Sequence, residues 1–300
     1  MTSSLEKSTI SQYNSVLRPW CNFCKIKNYN GYNPEVSQVL EFLTKKFHEK
    51  ATYGTLNSAR SAISLVSNKK IGEDDSISRF MKGVSKLHPP KPKYVFTWDV
   101  TIVLDYLETL YPLETISFTN ITYKTMMLMI LSTAHRAQII AKIRLDNIQV
   151  NEDGILIHIT DRIKTSAPGR YQLLLSIPFC SQFPKNCVAT ALKVYLEKSK
   201  DLRKDSSKLF VAIKRPHKDI GAQTISRWVK LILGMIGIDL NKFTAHSTRH
   251  SATSKAKANS IDLDTIKRTA GWTTRSETFA KFYNRPIIPL NTHDFSIIIH

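Results

Sequence analysis

Apolar residues recur every three or four positions through the first 87 residues of the chain. Ile10, Leu17 and Trp20 belong to the first such series, and their spacing is that of one face of a helix. The segments predicted as helices are 8–28, a stretch that opens at Pro34, 53–67 and 76–86. Helices of this number and length form a small bundle.

Three prolines between residues 89 and 92 interrupt this pattern. Proline lacks a backbone N–H and cannot continue a helix or a central strand. We therefore expect a short, basic, semi-rigid linker over 88–94 that separates a first domain, 1–87, from a second domain, 95–300.

Helical spacing returns in the second domain, with one change of period. The segments predicted as helices are 99–111, 121–134, 136–143, 184–198, 222–235, 245–259, 263–269 and 277–283. Ile155, Ile157 and Ile159 alternate with other residues, and 171–177 is also strand-like, which predicts a β-hairpin around the turn cluster 165–170. We therefore expect a mainly α fold with a small antiparallel β-sheet, in the α+β class.

Charge narrows the possible partners. The 300 residues include 43 Lys and Arg against 24 Asp and Glu, a net charge of +19 that is spread along the chain. A folded protein this basic usually binds a polyanion, and nucleic acid is the commonest one. Binding to an acidic membrane surface is disfavoured, because the sequence shows no long basic amphipathic helix. A membrane span is not expected either, because the longest apolar run, 126–131, is too short to cross a bilayer.

Compartment and metal chemistry are indicated by short motifs. The first residues lack the apolar core of a signal peptide, so we expect a cytosolic or nuclear protein. Cys21 and Cys24 form a single C-x-x-C pair beside Trp20 and Phe23, with no second pair at zinc-site spacing. Packing of both cysteines in the core is favoured over metal or redox chemistry, and no metal or cofactor is expected.

The segment 244–250 holds the first candidate for chemistry. Thr244 suits the N-cap of the helix that follows, which places His246 and Arg249 three residues apart on one face of the first turn. Free backbone N–H groups and the positive end of the helix dipole make this segment suited to an anion. The alternative is that both side chains are ordinary surface residues at a helix end.

Two more groups accompany apolar helices. Arg136 follows the strongly apolar segment 121–134, and an arginine beside a core helix needs a partner or a ligand; an ordinary ion pair would also satisfy it. Gly271 is suited to end a short helix just before Trp272.

These residues occur in a recognisable order: Arg136, the hairpin lysine Lys164, His246-x-x-Arg249, Gly271-Trp272 and Tyr283. The order resembles the signature of the tyrosine recombinases, also called the phage-integrase family, and the resemblance extends from residue 9 to about 289. Segments 134–138, 163–169 and 282–286 are most similar to recombinases of eukaryotic mobile elements of the DIRS, Ngaro and Crypton type.

The resemblance implies a reaction in which a tyrosine hydroxyl attacks phosphorus and leaves a 3′-phosphotyrosyl bond and a free 5′-hydroxyl. Tyr283 is the nucleophile it implies, and Arg136 and Arg249 would hold the non-bridging oxygens. Phe282 has no hydroxyl and points about 100° away on a helix. Phe279 and Phe282 have the spacing of core residues.

The resemblance assigns the remaining roles as well. His246 would assist proton removal from the tyrosine, and Trp272 would supply a hydrogen bond and packing, since indole is not a base. Lys164 would protonate the leaving 5′-oxygen, unless it is simply a solvated hairpin lysine; Lys142, on a helix, is a poorer candidate.

Two features depart from the family's pattern. Many members carry a carboxylate three residues after the first arginine, where this chain has Ile139. The spacing of 11 residues from Trp272 to Tyr283 is longer than in the better-known members, and an insertion at 273–276 would absorb the difference. All six catalytic positions hold residues that the family permits, so an active enzyme is expected.

The resemblance also implies that the first domain is a core-binding domain and the second the catalytic domain, closing around DNA about the proline linker. The residues expected to contact phosphates are Arg60, Lys69, Lys70, Lys91, Lys93, Arg162 and Arg170, although any one could be a solvated charge. Double-stranded DNA and a homotetramer on two duplexes are the implied partners. The apolar segment 295–300 either folds back or docks on a neighbouring subunit.

The implied function is a site-specific recombinase or integrase of a mobile element, nuclear if the source is eukaryotic and otherwise cytoplasmic. One alternative is a DNA-binding protein derived from a recombinase that has lost catalysis, and a covalent protein–DNA adduct would separate the two. A type IB topoisomerase is the other alternative, which the compact bundle and linker disfavour.

Overall fold

The computed structural model describes residues 5–68, 70–89, 91–164, 166, 169, 172–204, 206–273 and 275–288. The chain divides into two compact units, Met1–Pro92 and Lys93–His300. The boundary falls inside the 88–94 segment for which the sequence predicts a linker. Each unit has its own buried hydrophobic core.

Helices form the first unit. They are α1 (Lys7–Lys27), α2 (Val36–His48), α3 (Tyr53–Val66) and α4 (Asp75–Leu87), with a 3-10 turn at Ile71–Glu73. The Thr52 hydroxyl caps α3 by accepting the amide of Thr55. The predicted helices are confirmed, although α2 begins at Val36 after a capping box on Glu35 rather than at Pro34.

Aromatic side chains form the centre of this bundle. The rings of Trp20, Phe23 and Phe42 pack together with centroid separations between 5.2 and 6.1 Å. Cys24 is buried, as predicted, but the prediction for Cys21 is wrong because that side chain is exposed. One step along a helix turns a side chain by about 100°, which carries Cys21 away from the core side of Trp20. Within the described ranges, no cluster of His, Cys, Asp and Glu could hold a metal ion.

The second unit is also mainly helical. Its elements are β1 (Thr97–Trp98), α5 (Val100–Thr109), α6 (Phe118–Thr133), α7 (Ala137–Ile140), β2 (Ile148–Val150), β3 (Gly154–His158), β4 (Leu174–Pro178), α8 (Val188–Ser199), α9 (Ala222–Met235), α10 (Ser247–Ala258), α11 (Leu263–Thr269) and β5 (Ile287–Ile288). α6 is the central helix, and its residues from Met126 to Leu131 are all buried. Among the described helices, none combines the length and the apolar character needed to cross a bilayer.

The small sheet is antiparallel, in the order β2-β3-β4. Ile155 pairs with Ile177, and Ile157 pairs with Leu175, and all four side chains are buried. The alternation in the sequence therefore identified β3 and β4, whereas β2, with two of its three residues exposed, has too weak a pattern to predict. The architecture confirms the expected mainly α fold with a small antiparallel sheet.

A short parallel pair, β1 with β5, fixes the chain that follows Tyr283. The amide of Thr97 donates to the carbonyl of Pro286 at 2.9 Å. In β1, the indole N–H of Trp98 donates to the Ser247 hydroxyl at 2.9 Å, at the first residue of α10. Tyr283 is thereby held close to the start of α10.

Candidate active site

The start of α10 differs from the expectation. The helix begins at Ser247 with His246, not Thr244, at its N-cap, and the Ser247 amide donates to the Thr244 carbonyl at 2.8 Å. Residues 244–246 therefore form a turn before the helix. The Thr244 hydroxyl does not act as the cap because it bonds the Tyr94 hydroxyl at 2.7 Å.

Arg249 is the most deeply buried charge of the candidate site, with 1% of its surface exposed. Its Nη1 donates to the carbonyl of Ala134 at 2.7 Å, where a left-handed residue ends α6. Its guanidinium lies 4.0 Å from the ring centre of Trp272, a cation–π contact. Burial, with the nearby charge of Arg136, lowers the pKa of Arg249 to about 9, so the group stays protonated at neutral pH.

Arg136 and Arg249 come together in one cleft. Arg136 is half-buried at the N-cap of α7, directly after the end of α6. A cleft of about 340 Å³ is lined by Arg136, His246 and Arg249 together with residues of α9. No Asp or Glu is among the described residues that line the cleft. The two guanidinium groups therefore favour binding of an anion, because each would otherwise repel the other.

Tyr283 is buried, with 7% exposed, at the end of a π-helical turn, Phe279–Tyr283. Its hydroxyl lies 2.9 Å from Nε2 of His246. The Ser254 hydroxyl fixes its backbone by donating to the Tyr283 carbonyl at 2.8 Å. Phe279 is in the core as expected, but the expectation for Phe282 is wrong: it is 53% exposed, because the turn that buries Tyr283 directs its neighbour outward.

Trp272 packs against Tyr283 rather than only against the core. The rings of Trp272 and Tyr283 meet at an interplanar angle of 60° with centroids 4.8 Å apart. The indole also contacts the ring of Phe279, with centroids 5.9 Å apart. The indole nitrogen is buried and has no hydrogen-bond partner among the described residues.

The environment of His246 keeps its imidazole neutral. Burial lowers its pKa to about 4, and the positive charges of Arg136, Arg249 and Lys93 act in the same direction. At neutral pH one ring nitrogen of His246 therefore has a free lone pair. With Nε2 facing the Tyr283 hydroxyl, the pair can exchange a proton.

The family model for the phage integrase family matches residues 103–286, more than half of the chain. This chain belongs to the phage integrase family. No match is found among curated proteins.

Solved structures of integrases and recombinases share the fold of this integrase-family chain. XerH recombinase on palindromic difH substrate has a TM-score of 0.59 at 14% identity, covering 84% of this chain and 69% of the other. A lambda integrase fragment, dimeric on a COC′ core site, has a TM-score of 0.55 at 14% identity, and the match covers 93% of this chain and 89% of the other. The Tn1549 transposon integrase in complex with transposon right-end DNA has a TM-score of 0.55 at 14% identity, and the match covers 82% of this chain and 80% of the other.

Two histidines of this integrase-family chain that the residue pattern did not indicate lie at the site. His250 follows Arg249, and its ring stacks on Tyr283 with centroids 4.1 Å apart. His135 precedes Arg136, lines the cleft and is 1% exposed, with neither ring nitrogen partnered among the described residues. The signal available in the sequence was adjacency: each follows or precedes a selected arginine.

Lys164 is placed apart from this cluster in the integrase-family chain. It is exposed in a turn where the amide of Ile163 donates to the Ser166 hydroxyl at 2.9 Å, and it does not line the cleft. The turn is tied to the segment after α7, because the Lys142 ammonium donates to the carbonyl of Arg162. Its assignment as the acid stays a prediction.

The residues expected to contact DNA are distributed over both units. Lys70, Lys91, Lys93 and Arg162 are exposed, and Arg60 is half-buried. Lys69, Arg170 and the segment 295–300 lie outside the described residues. Lys93 belongs to the second unit, and its ammonium donates to the Thr244 hydroxyl at 3.2 Å. The DNA contacts also stay predictions.

Proposed function

We propose that this integrase-family chain cleaves and rejoins DNA through a covalent 3′-phosphotyrosyl bond to Tyr283. The observation that carries the proposal is the 2.9 Å contact between the Tyr283 hydroxyl and Nε2 of neutral His246, beside a cleft that holds Arg136 and Arg249. A buried tyrosine next to a general base and two guanidinium groups has the parts needed for nucleophilic attack on a phosphodiester.

The chemistry follows from these parts. The Tyr283 oxygen forms a bond to phosphorus while its proton passes to His246, and the bond from phosphorus to the 5′-oxygen breaks. Charge that builds on the non-bridging oxygens is stabilised by Arg136 and Arg249. Lys164 is the residue assigned to donate a proton to the leaving 5′-oxygen. The reverse attack by a 5′-hydroxyl rejoins a strand, and the covalent bond conserves the phosphodiester energy.

Unpartnered donors support a phosphate in this cleft. Nε and Nη2 of Arg249, which lines the cleft, are buried and have no partner within the described part of the chain. The indole nitrogen of Trp272, whose ring lies against that guanidinium, is likewise buried and unpartnered there. Each unsatisfied buried donor costs about 1–3 kcal/mol, and more when it is charged. A phosphate oxygen is an acceptor that would satisfy such donors, so the cost is recovered when the substrate binds.

The proposed substrate is double-stranded DNA, and the proposed assembly is a homotetramer on two duplexes. The net charge of +19 supports DNA as the substrate, because neutralising DNA phosphates releases counterions. The similarity of segments 134–138 and 282–286 to recombinases of eukaryotic mobile elements supports a mobile-element origin, with a nuclear location in a eukaryotic source and a cytoplasmic one otherwise.

The test is covalent trapping. Duplex DNA is enriched from a random-sequence pool by binding to the Tyr283→Phe protein, and then nicked so that the short cleaved strand diffuses away. We expect wild-type protein to form an adduct on a denaturing gel and Tyr283→Phe to bind the DNA without forming one. Tyr111→Phe, which removes an exposed hydroxyl, is the matched control and should react like the wild type.

Two results would contradict the proposal. An adduct formed by Tyr283→Phe would remove the assignment of the nucleophile. Tight binding by wild-type protein without any adduct would favour the alternative of a DNA-binding protein that has lost catalysis.

A further inference from the structure

One face of the Tyr283 ring is covered by His250. The two rings are nearly parallel, with an interplanar angle of 20° and centroids 4.1 Å apart. The other aromatic neighbours meet the tyrosine at steep angles: His246 at 76° and 5.8 Å, and Trp272 at 60° and 4.8 Å. Among these three contacts, only the one with His250 is nearly parallel, so the imidazole packs flat against the Tyr283 ring.

His250 is itself held firmly. It lies on α10, one residue after Arg249 and four after His246, and it is 6% exposed. The ring of Tyr94 meets it edge-on at 79° with centroids 4.8 Å apart. Its Nδ1 has no hydrogen-bond partner among the described residues, so aromatic packing holds the ring on this side.

The imidazole of His250 offers a neutral, flat face. Burial lowers its pKa to about 3, and the charges of Arg285, Arg249 and Lys93, with His246, act in the same direction. A neutral ring packs on a phenol in an offset stack without bringing a further charge beside the nucleophile.

We propose that His250 is a positioning residue for the nucleophile: its stacked ring holds the phenol of Tyr283 in place, so that the hydroxyl stays on Nε2 of His246. The inference rests on the proposed function of Tyr283. The hydroxyl lies on the long axis of the phenol, so it leaves His246 when the side chain turns about its Cα–Cβ bond. That turn moves the whole ring relative to His250, and the stack opposes it. Misplacement of a reacting group by about 1 Å costs on the order of 100-fold in rate.

The first test compares three variants on the nicked duplex described above, under single-turnover conditions with saturating protein. His250→Leu has an apolar side chain but no flat ring, and we expect adduct formation to slow about 10- to 100-fold with DNA affinity unchanged. His250→Phe keeps a flat ring and should restore the rate to within about threefold of wild type. His158→Leu replaces an exposed histidine of β3 and should not change the rate.

The second test bypasses Tyr283. A strand that ends in 3′-(p-nitrophenyl phosphate) is supplied with a strand that carries a 5′-hydroxyl. The 5′-oxygen bonds to phosphorus, its proton passes to solvent, and p-nitrophenolate leaves without needing a proton. We expect Tyr283→Phe and the double variant Tyr283→Phe/His250→Leu to join these strands at the same rate, because residue 283 carries no nucleophile in either protein and His250 does not line the phosphate cleft.

Each other outcome overturns the inference. Normal adduct formation by His250→Leu would show that a flat ring is not required. Equal defects in the Leu and Phe variants would show that a flat ring is not what His250 supplies. Slower joining by the double variant than by Tyr283→Phe would place the fault in the phosphate cleft or the fold. If the melting temperature of His250→Leu shows misfolding, His250→Gln replaces it in both tests. If wild-type protein forms no adduct, the proposed function fails too, whereas an adduct with wild type confines the failure to His250.

Discussion

A Cβ atom at Gly271 would lie 2.9 Å from Cε1 of His135, closer than side-chain carbons approach in folded proteins. Gly271 also has a φ of +69°, a left-handed conformation that other residues adopt only with strain. The turn that presents Trp272 is therefore packed directly on the residue before Arg136. A shift at this contact displaces one or both of these site residues.

Gly271→Ala should destabilise the protein by about 1–3 kcal/mol, from the positive φ and the clash together. Urea unfolding measures the change. Gly83→Ala, at a helical glycine with open space around it, is the matched control and should be neutral or slightly stabilising. In the double variant with His135→Ala the clash is removed, so part of the loss should be recovered; strictly additive effects would show that the contact is not responsible.

Lys164→Ala should slow cleavage by about 10²–10⁴-fold if Lys164 protonates the leaving oxygen. A substrate with sulfur at the 5′-bridging position, whose leaving group needs no proton, should be cut by the variant at nearly the wild-type rate. Gel assays of single-turnover cleavage on the two substrates give the comparison. Equal defects on both would mean that Lys164 positions the DNA instead.

Arg249→Lys should slow adduct formation by about 10²–10³-fold, although the charge is kept. A lysine ammonium cannot bond the Ala134 carbonyl and at the same time present two fixed N–H groups to a phosphate or stack on Trp272. Arg227→Lys, on the exposed side of α9, is the control and should retain activity. Near-wild-type cleavage by Arg249→Lys would argue against a forked contact to the phosphate.

Stability should fall as the pH drops below 6.5, in part because of His135. Burial, with the charges of Arg249 and Arg136, lowers its pKa to about 3, while histidine in an unfolded chain titrates near 6.5. Between these two pKa values the unfolded state binds more protons than the folded state. The contribution of neutral His135 to the free energy of unfolding is therefore fully present above pH 6.5 and is lost as the pH falls toward 3.

His135→Leu should therefore reduce the slope of the free energy of unfolding against pH by about 1.4 kcal/mol per pH unit. Unfolding free energies from urea titrations at pH 6 and pH 5 measure this slope. The exposed His158→Leu is the control and should keep the wild-type slope. An unchanged slope in His135→Leu would mean that His135 is charged or solvated in the folded protein.

Local periodicity predicted most of the elements. Helix α9 was predicted over 222–235 and occupies Ala222–Met235, and α11 was predicted over 263–269 and occupies Leu263–Thr269. The alternation of Ile155 and Ile157 likewise identified β3. These predictions succeed because a helix or strand with one buried face repeats its apolar residues at a fixed interval, which is visible without any partner.

Contacts between distant segments decided the rest. Thr244 was expected to cap α10, but its hydroxyl bonds Tyr94, 150 positions away, and His246 takes the cap. Phe282 has core spacing and is exposed because the π-helical turn buries Tyr283 instead. A pattern of apolar residues does not record which neighbour a side chain will meet.

The sequence by itself determined the mainly α fold, the order of the candidate site residues and the family to which the chain belongs. Only the tertiary structure decided that the hydroxyl of Tyr283 lies on Nε2 of His246 and that the ring of His250 covers its face. Those two contacts join residues 37 and 33 positions apart, and they exist because β1 and β5 pair and carry the end of the described chain back to α10. Periodicity is a property of one segment, whereas a site is a property of how segments pack.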